Sequence, residues 1–216
     1  MIKIENTEVF GWEAAIRGMR NPKNSWRLSD TVYGLGEYRY TDMIIGENDL
    51  KLMRTLAHAG SDHGKFLRMI NVTVDLTAPL YWWKEFDTYK VGTVANSCST
   101  MHKIHAKEFT MDDFSHEHFE DEFRIGCCGH NFNDLLLTVI SYLNTARQGF
   151  LETNNKMYWW HMIQMLPSSY NQKRTVQLNY AVLLNMYHAR KNHKLDEWHD
   201  LCAWIEELPY FREICL

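Results

Sequence analysis

The sequence has little from which to build a disulfide framework or a membrane anchor. Five of its 216 residues are cysteine. An odd count that includes the adjacent pair Cys127 and Cys128 favours a reducing compartment over a set of disulfides. The longest apolar runs, such as residues 135–140, fall far short of the ~20 residues that cross a bilayer. The N-terminus lacks the long apolar segment of a signal peptide. We therefore expect a cytoplasmic protein with no membrane association.

The sequence also lacks several motifs that assign a function directly. No G-x-G-x-x-G follows a predicted strand, and no phosphate-binding G-x-x-x-x-G-K-[ST] is present. The net charge is −4 with no dominant basic stripe, which argues against a nucleic-acid partner. Neither a repeat nor a low-complexity linker divides the 216 residues, of which 45% are hydrophobic. These properties predict a single domain over residues 1–216.

Cysteine and histidine residues in mid-chain suggest two sites that their spacing does not favour. A zinc site could include Cys127, Cys128, His130, His116 and His118. Adjacent cysteines, however, lack the usual two-residue separation around a tetrahedral ion. Cys128 could instead act as a nucleophile, but a buried, inert cysteine is more typical. We expect no metal site.

Hydrophobic periodicity predicts a mixed first half and a mostly helical second half. The predicted strands are 2–10 and 66–76, and the predicted helices are 11–19, 50–57, 79–89, 131–146, 155–165, 174–190 and 195–206. Residues 21–46 are predicted to be irregular with one hairpin. Asn48 or Asp49 is expected to cap the second helix, and Pro79 fits the first turn of the third. The class is α+β, with a small mixed or antiparallel sheet packed against a mostly helical C-terminal half.

The most informative segment is residues 178–201, LNYAVLLNMYHARKNHKLDEWHDL. A predicted helix here carries Asn179, Asn185 and Arg190 in register, and Glu-Trp-His follows at 197–199 after a break. Amide groups can read the edge of a pyrimidine ring, and a fixed guanidinium can polarise its carbonyls. Arg190 could equally be a surface arginine that meets the dipole at a helix C-terminus.

This spacing resembles the C-terminal signature of the flavin-dependent thymidylate synthases. In that family an Asn begins a helix, an Arg eleven positions later closes a Phe-Leu-x-Leu-Arg run, and a Gln-Trp-Glu-like segment follows. Asn179 and Arg190 are eleven positions apart, and residues 197–199 follow with about one extra residue. The cysteine-dependent thymidylate synthases offer no alternative, because they use a Pro-Cys nucleophile and no cysteine here follows a proline.

The second family signature lies in mid-chain and is only partly matched. It consists of Arg-His-Arg, then a Ser, an Asn, another Ser and an Arg-Tyr, with a Ser…Glu-His motif upstream. Gly-Ser-Asp-His at residues 60–63 stands in the upstream position. Counting on from His63, the triplet falls on Thr88, Tyr89 and Lys90, of which only Lys90 keeps the charge. Lysine cannot copy the bidentate contacts of an arginine fork, so the segment loses most of its anion-binding power.

The rest of this signature keeps its polar character but not its arginine. Thr93 stands where the first Ser is expected. Asn96 and Ser99 keep the Asn-x-x-Ser spacing, displaced by one residue, and Met-His at 101–102 replaces the closing Arg-Tyr. Asn96 and Ser99 could bind a phosphate or simply cap the following segment. His63 could lie near a flavin or cap its own turn.

The resemblance implies a fold, an activity and a set of site residues. The activity is a flavin-dependent, reductive one-carbon transfer at C5 of dUMP or a related base by a methyltransferase. The implied components are FAD, with NADPH and a folate donor as further candidates, in a homotetramer. The implied residues are Arg190 for catalysis, Asn179, Asn185, Ser99 and Lys90 for substrate, and His63, Lys90, Thr93 and Asn96 for the cofactor. The alternative is a non-catalytic nucleotide-binding or regulatory protein on this scaffold that has lost FAD binding.

Overall fold

The computed structural model describes residues 1–34, 43–120 and 131–216. These residues form an α+β fold, as predicted. The strands are β1 (Lys3–Phe10), β2 (Asn71–Pro79), β3 (Val94–Ser97) and β4 (Asn171–Asn179), which form an antiparallel sheet in the order β1-β2-β4-β3. The helices are α1 (Trp12–Arg20), α2 (Glu47–His58), α3 (Leu80–Phe86), α4 (Phe132–Thr153), α5 (Lys156–Met165), α6 (Tyr180–Arg190), α7 (Asp196–Glu207) and α8 (Phe211–Cys215). No helix in these ranges is both long and apolar enough to span a bilayer.

The predicted start of the second strand is wrong. Strand β2 begins at Asn71 rather than at Phe66, and residues 64–68 form a 3-10 turn instead. Phe66 and Leu67 are both buried, whereas successive side chains of a strand point to opposite faces. Within β2 the buried residues alternate as Val72, Val74 and Leu76.

The predicted helix 174–190 is wrong over its first six residues, which belong to β4. Val176 and Leu178 are buried while Thr175 and Gln177 are exposed. This two-residue period is typical of a strand, and a helix does not produce it. Helix α6 begins only after Asn179, whose side chain caps it.

Two other predicted helix starts need correction. Neither Asn48 nor Asp49 caps α2, since their backbone N–H groups donate to the carboxylate of Asp30 at 2.9 and 3.0 Å. Pro79 ends β2 and lies just before α3. In the irregular segment, an antiparallel bridge joins Val32 to Ile44, as a hairpin requires, but residues 35–42 between them lie outside the described residues.

The chain folds into two compact units, each made of separate stretches of sequence. The first unit comprises Met1–Lys3, Leu76–Thr88 and Asn96–Arg174, and the second comprises Ile4–Asp75, Tyr89–Ala95 and Thr175–Leu216. A single domain over residues 1–216 stays a prediction.

The first unit is built around the α4–α5 hairpin. Its core includes Leu136, Ile140, Leu143 and Met162, all buried. The two helices approach closely at Gly149, where a Cβ atom would lie 2.8 Å from the ring of Tyr158. Helix α3 also belongs to this unit, and its aromatic residues Trp82, Trp83 and Phe86 are buried in the core.

The second unit packs α1, α2, α6, α7 and α8 around buried aromatic side chains. The Tyr180 ring lies edge-on to Trp12 at 5.4 Å and to Phe211 at 5.2 Å between centroids. The 3-10 turn at 64–68 packs against α1 and α6. These contacts fix the orientation of α6, which carries Asn185 and Arg190 and is capped by Asn179.

Candidate functional site

Helix α6 carries Asn179 and Arg190 at its two ends. The Asn179 side-chain oxygen accepts from the backbone N–H of Val182 at 3.1 Å, and Arg190 is the last residue of the helix. Asn179 caps the helix in an extended conformation, with φ −136° and ψ 168°, and eleven residues place it about 16 Å along the axis from Arg190. Asn185 is exposed and lies about 140° around the helix from Arg190. The structure therefore places Asn179 and Arg190 at opposite ends of α6 and turns Asn185 away from Arg190.

The Arg190 side chain is half-buried and held by two aromatic residues. Its Nε donates to the hydroxyl of Tyr89 at 2.9 Å. Its guanidinium carbon lies 4.7 Å from the ring centroid of Trp198 and 5.5 Å from that of Tyr89. Cation–π contacts of this kind are worth about 0.5–2 kcal/mol. The guanidinium is thus a fixed cation rather than one that moves freely in solvent.

The turn between α6 and α7 places Trp198 beneath Arg190. The backbone N–H of His193 donates to the carbonyl of Arg190 at 2.9 Å, and the His193 ring lies edge-on to Trp198 at 6.2 Å. Trp198 is fully buried in the first turn of α7, and Glu197 beside it is also buried. His199 is exposed on the same helix. Of the Glu-Trp-His segment, Trp198 is therefore the residue that contacts Arg190 through its ring.

Residues 89–93 run against both ends of α6. Tyr89 bonds Arg190 at the C-terminal end. At the other end Gly92 has a φ of +79°, and a Cβ there would lie 3.0 Å from Val182 and 3.1 Å from the side-chain nitrogen of Asn179. Glycine is required here both by the left-handed backbone and by the close approach.

Lys90 and Thr93 lie in this same segment. Lys90 is exposed, and Thr93 is half-buried. The Thr93 hydroxyl is buried and has no hydrogen-bond partner among the residues that the structure describes. Leaving such a group unpaired costs about 1–3 kcal/mol. The structure thus places Lys90 and Thr93 in the short segment that contacts Asn179 and Arg190.

The remaining predicted residues lie elsewhere. His63 is exposed at the turn before residues 64–68, and its backbone N–H donates to the carbonyl of Gly60 at 3.1 Å. Asn96 is exposed within β3, so it is not a helix cap. The Ser99 hydroxyl accepts from the backbone N–H of His102 at 2.9 Å and so caps a turn. Asn96 and Ser99 both belong to the first unit.

Arg174 is a cation that the sequence interpretation missed, because its segment was assigned to a helix. Its guanidinium carbon lies 4.1 Å from the ring centroid of Trp83, and its Nη1 pairs with Asp87 at 2.7 Å. Its Nε donates to the side chain of Gln172 at 3.0 Å. These three contacts occupy Arg174 inside the first unit.

A surface cavity of about 400 Å³ opens on another side of α6 and α7 and is lined by Tyr187, Lys191, Asn192, His199, Glu206 and Arg212, among others. Glu206 accepts from the Tyr187 hydroxyl at 2.7 Å and pairs with Arg212 at 2.8 Å. Cys202 also lines the cavity, and burial raises the pKa of its thiol to about 11, so it stays neutral. None of the predicted site residues lines this cavity.

The described residues contain no cluster of three or more histidine, cysteine or acidic side chains that could hold a metal ion. Cys127, Cys128 and His130 lie outside the described residues. His116 directs its Nδ1 at the carbonyl of Phe114, 2.8 Å away.

Comparison of sequences identifies no relative, since neither a protein-family model nor a curated protein matches the chain. Comparison of structures, in contrast, finds solved proteins with a similar fold. A thymidylate synthase X (ThyX) from Helicobacter pylori, crystallised with FAD and dUMP, superposes with a TM-score of 0.66 at 15% identity, over 100% of this chain and 97% of that one. A second structure of that enzyme with FAD and dUMP gives 0.67 at 15% identity, over 99% and 97%. The UMP/dUMP methylase PolB from Streptomyces cacaoi, bound to 5-Br dUMP, gives 0.64 at 12% identity, over 99% and 93%.

The chain has the fold of the flavin-dependent thymidylate synthases. The match extends over nearly its whole length, in agreement with the resemblance inferred from the C-terminal signature. Within this ThyX fold, the signature correctly indicated that Asn179 begins a helix and that Arg190 ends it. No pattern in the sequence indicates that Tyr89 and Trp198 contact Arg190, because both contacts join residues from different elements.

Proposed function

We propose that this chain is a thymidylate synthase-like protein that binds a pyrimidine nucleotide of the dUMP class beside Arg190. The fold supports the proposal, because structural neighbours of this chain were crystallised with dUMP or 5-Br dUMP. The observation that carries it is the Arg190 guanidinium, fixed at the end of α6 by Tyr89 and Trp198.

The proposed chemistry is the polarisation of the base for a reductive one-carbon transfer at C5. A cation fixed beside a ring carbonyl stabilises the enolate charge that develops when C5 reacts, and it needs no reorganisation at that moment. Asn179 uses its side-chain oxygen to cap α6, so its NH₂ group is the part that can donate to the nucleotide. It lies about 16 Å along α6 from Arg190, so it would contact a different part of the nucleotide from the carbonyl that Arg190 polarises. Asn185 is exposed on another face of α6 and remains a proposed substrate-binding residue.

The residues of the 89–93 segment fit an anionic group such as a nucleotide or flavin phosphate. Lys90 supplies an exposed cation, and the unpartnered Thr93 hydroxyl can donate to a phosphate oxygen after a rotation about χ1. His63 and Asn96 remain proposed ligands of FAD, and Ser99 remains a proposed ligand of the substrate. FAD, when bound, supplies the reducing equivalents, and NADPH and a folate are its proposed co-substrates.

A second candidate is a nucleotide-binding or regulatory protein that has lost FAD binding. The residues at the triplet positions favour it. The Thr88 hydroxyl donates to the carbonyl of Glu85 at 2.7 Å, and the Tyr89 hydroxyl accepts from Arg190. Neither residue provides the cation that the family pattern places there. Lys90 alone would then have to neutralise a pyrophosphate.

A thermal-shift panel of FAD, FMN, dUMP, dCMP and folates tests both candidates. A ligand at a hundredfold excess over its Kd adds about 2.7 kcal/mol to the free energy of unfolding, which raises Tm by about 5–10 °C for a chain of this size. We expect that shift with dUMP and with FAD, together with flavin absorbance of the purified protein and dUMP-stimulated NADPH oxidation. AMP is the matched control for a nonspecific phosphate effect. A shift with dUMP alone would select the second candidate, and no shift with any of them would reject both.

We also propose a homotetramer, which the exposed apolar side chains of α4 and α5 support: Phe132, Leu135, Leu137, Tyr142, Leu151, Met157, Trp160 and Met165. Light scattering should give about four times the 25.7-kDa mass of one chain. Leu135→Glu should shift the protein to smaller species, because it places a charge on this apolar face. Thr55→Glu adds the same charge at an exposed polar position of α2, away from α4 and α5, and should leave the mass unchanged. A wild type with the mass of one chain would contradict the tetramer.

A further inference from the structure

We propose that Tyr89 is a positioning residue, which sets the orientation of the Arg190 guanidinium toward the bound base. The inference rests on the proposed function, since it assigns Tyr89 a role at the same nucleotide site. The family resemblance gives Tyr89 no role, because it stands where the family pattern has a histidine. Its role follows from contacts that this chain makes with its own residues.

Two different contacts constrain the guanidinium. The hydrogen bond from Nε to the Tyr89 hydroxyl, 2.9 Å long, fixes the direction of one edge of the planar group. The Trp198 ring, 4.7 Å from the guanidinium carbon, limits how the plane can tilt. The bond to Tyr89 uses the Nε donor, one of the five N–H groups of an arginine. The ring contact does not fix a direction within the guanidinium plane, whereas the hydrogen bond to the hydroxyl does.

Tyr89 is itself held in place relative to α6. Its ring lies edge-on to the buried Trp198, with 6.0 Å between centroids. Three residues later Gly92 approaches the other end of α6 so closely that any Cβ would meet Val182 and Asn179. The short segment between these contacts leaves the Tyr89 hydroxyl little freedom to move away from Arg190.

A phenol suits this task better than a carboxylate. It accepts a hydrogen bond while remaining neutral near pH 7, so it orients the guanidinium without cancelling the positive charge that polarises a base. A carboxylate in the same place would orient it more strongly but would neutralise it. Tyr89 therefore preserves the property on which the proposed chemistry of Arg190 depends.

Tyr89→Phe isolates the hydroxyl, because it retains the ring that packs on Trp198. The first readout is the Nε–H signal of Arg190 in ¹⁵N NMR, assigned by its disappearance in Arg190→Lys. We expect its exchange with water to become about tenfold faster when the acceptor is lost. The second readout is the Kd for dUMP, which should rise about tenfold because a misplaced donor loses its contact. The Tm of the free protein should stay close to that of the wild type.

Tyr187→Phe is the matched control. It also removes one tyrosine hydroxyl beside α6, but that hydroxyl bonds Glu206 rather than Arg190, so exchange at Arg190 and dUMP affinity should not change. If the wild type binds dUMP and Tyr89→Phe keeps wild-type affinity, the positioning role is overturned while the proposed function stands. Unchanged exchange at Arg190 in Tyr89→Phe would also overturn it. A wild type that binds no pyrimidine nucleotide would overturn the proposed function, and the inference with it.

Discussion

Arg190→Met should raise the Kd for dUMP by about 10- to 100-fold, because a hydrogen bond to a charged group contributes about 1.5–3 kcal/mol. If the chain is catalytic, the turnover rate should fall further, by about 10²–10³-fold, the usual loss when a group that stabilises developing oxyanion charge is removed. Methionine keeps an unbranched chain against Trp198, so the fold should tolerate it. Isothermal titration calorimetry with dUMP measures the first effect.

Two variants separate the role of Arg190 from a general loss of positive charge. Arg190→Lys keeps the charge but not the planar fork, so its Kd should lie between those of the wild type and Arg190→Met. Lys191→Met makes the same change of charge at the next residue, which lines the cavity on another side of α6, and it should bind dUMP as the wild type does. Wild-type affinity in Arg190→Met would exclude Arg190 from the nucleotide site.

The family signature, in which an asparagine begins the helix and an arginine closes it, placed the two ends of α6 correctly at Asn179 and Arg190. An asparagine followed by an apolar helical run is a typical N-cap, and Asn179 follows this rule. Periodicity by itself began the helix at residue 174, because an alternating strand that runs directly into a helix presents a continuous apolar pattern.

The partners of Arg190 could not be predicted because they belong to other elements of the fold. Tyr89 precedes Arg190 by 101 positions, and no local pattern marks a tyrosine that meets a helix end. Trp198 belongs to the next helix, and its place in the core would by itself account for a tryptophan at this position. Gly92 offered a weak signal, since a glycine between polar residues often marks a backbone in the left-handed region. Its close approach to Asn179 and Val182 can be recognised only from the folded structure.

A buried carboxylate outside the site should govern the stability of the second unit. Asp49 and Arg20 are both almost fully buried, and Arg20 Nε donates to Asp49 Oδ1 at 2.7 Å. The other oxygen, Oδ2, accepts from the Ser29 hydroxyl and from the backbone N–H and hydroxyl of Thr31, at 2.7 to 3.0 Å. One carboxylate thus ties residues 29–31 and α1 to α2.

Asp49→Asn should lower the free energy of unfolding by about 3–5 kcal/mol, because it leaves the Arg20 cation buried without its counter-charge. Asparagine has nearly the shape of aspartate, so the loss reports charge and hydrogen bonding rather than a cavity. Urea denaturation measures it. Asp112→Asn makes the same change at an exposed position and should cost less than about 0.5 kcal/mol. Equal stability of the two variants would show that the Arg20–Asp49 pair contributes nothing beyond packing.

The same pair predicts how stability depends on pH. Burial by itself raises the pKa of Asp49, but hydrogen bonds from Thr31, Ser29 and Arg20 outweigh it, so the folded-state pKa lies below the ordinary value of 3.8. A carboxyl group with a depressed pKa stabilises the fold fully above its unfolded pKa, and this contribution is lost as pH falls through the folded value. The wild type should therefore lose stability below about pH 4, and Asp49→Asn should lose less over the same range. Parallel curves for the two proteins, measured by urea denaturation from pH 7 down to pH 3, would contradict the assignment of this acid sensitivity to Asp49.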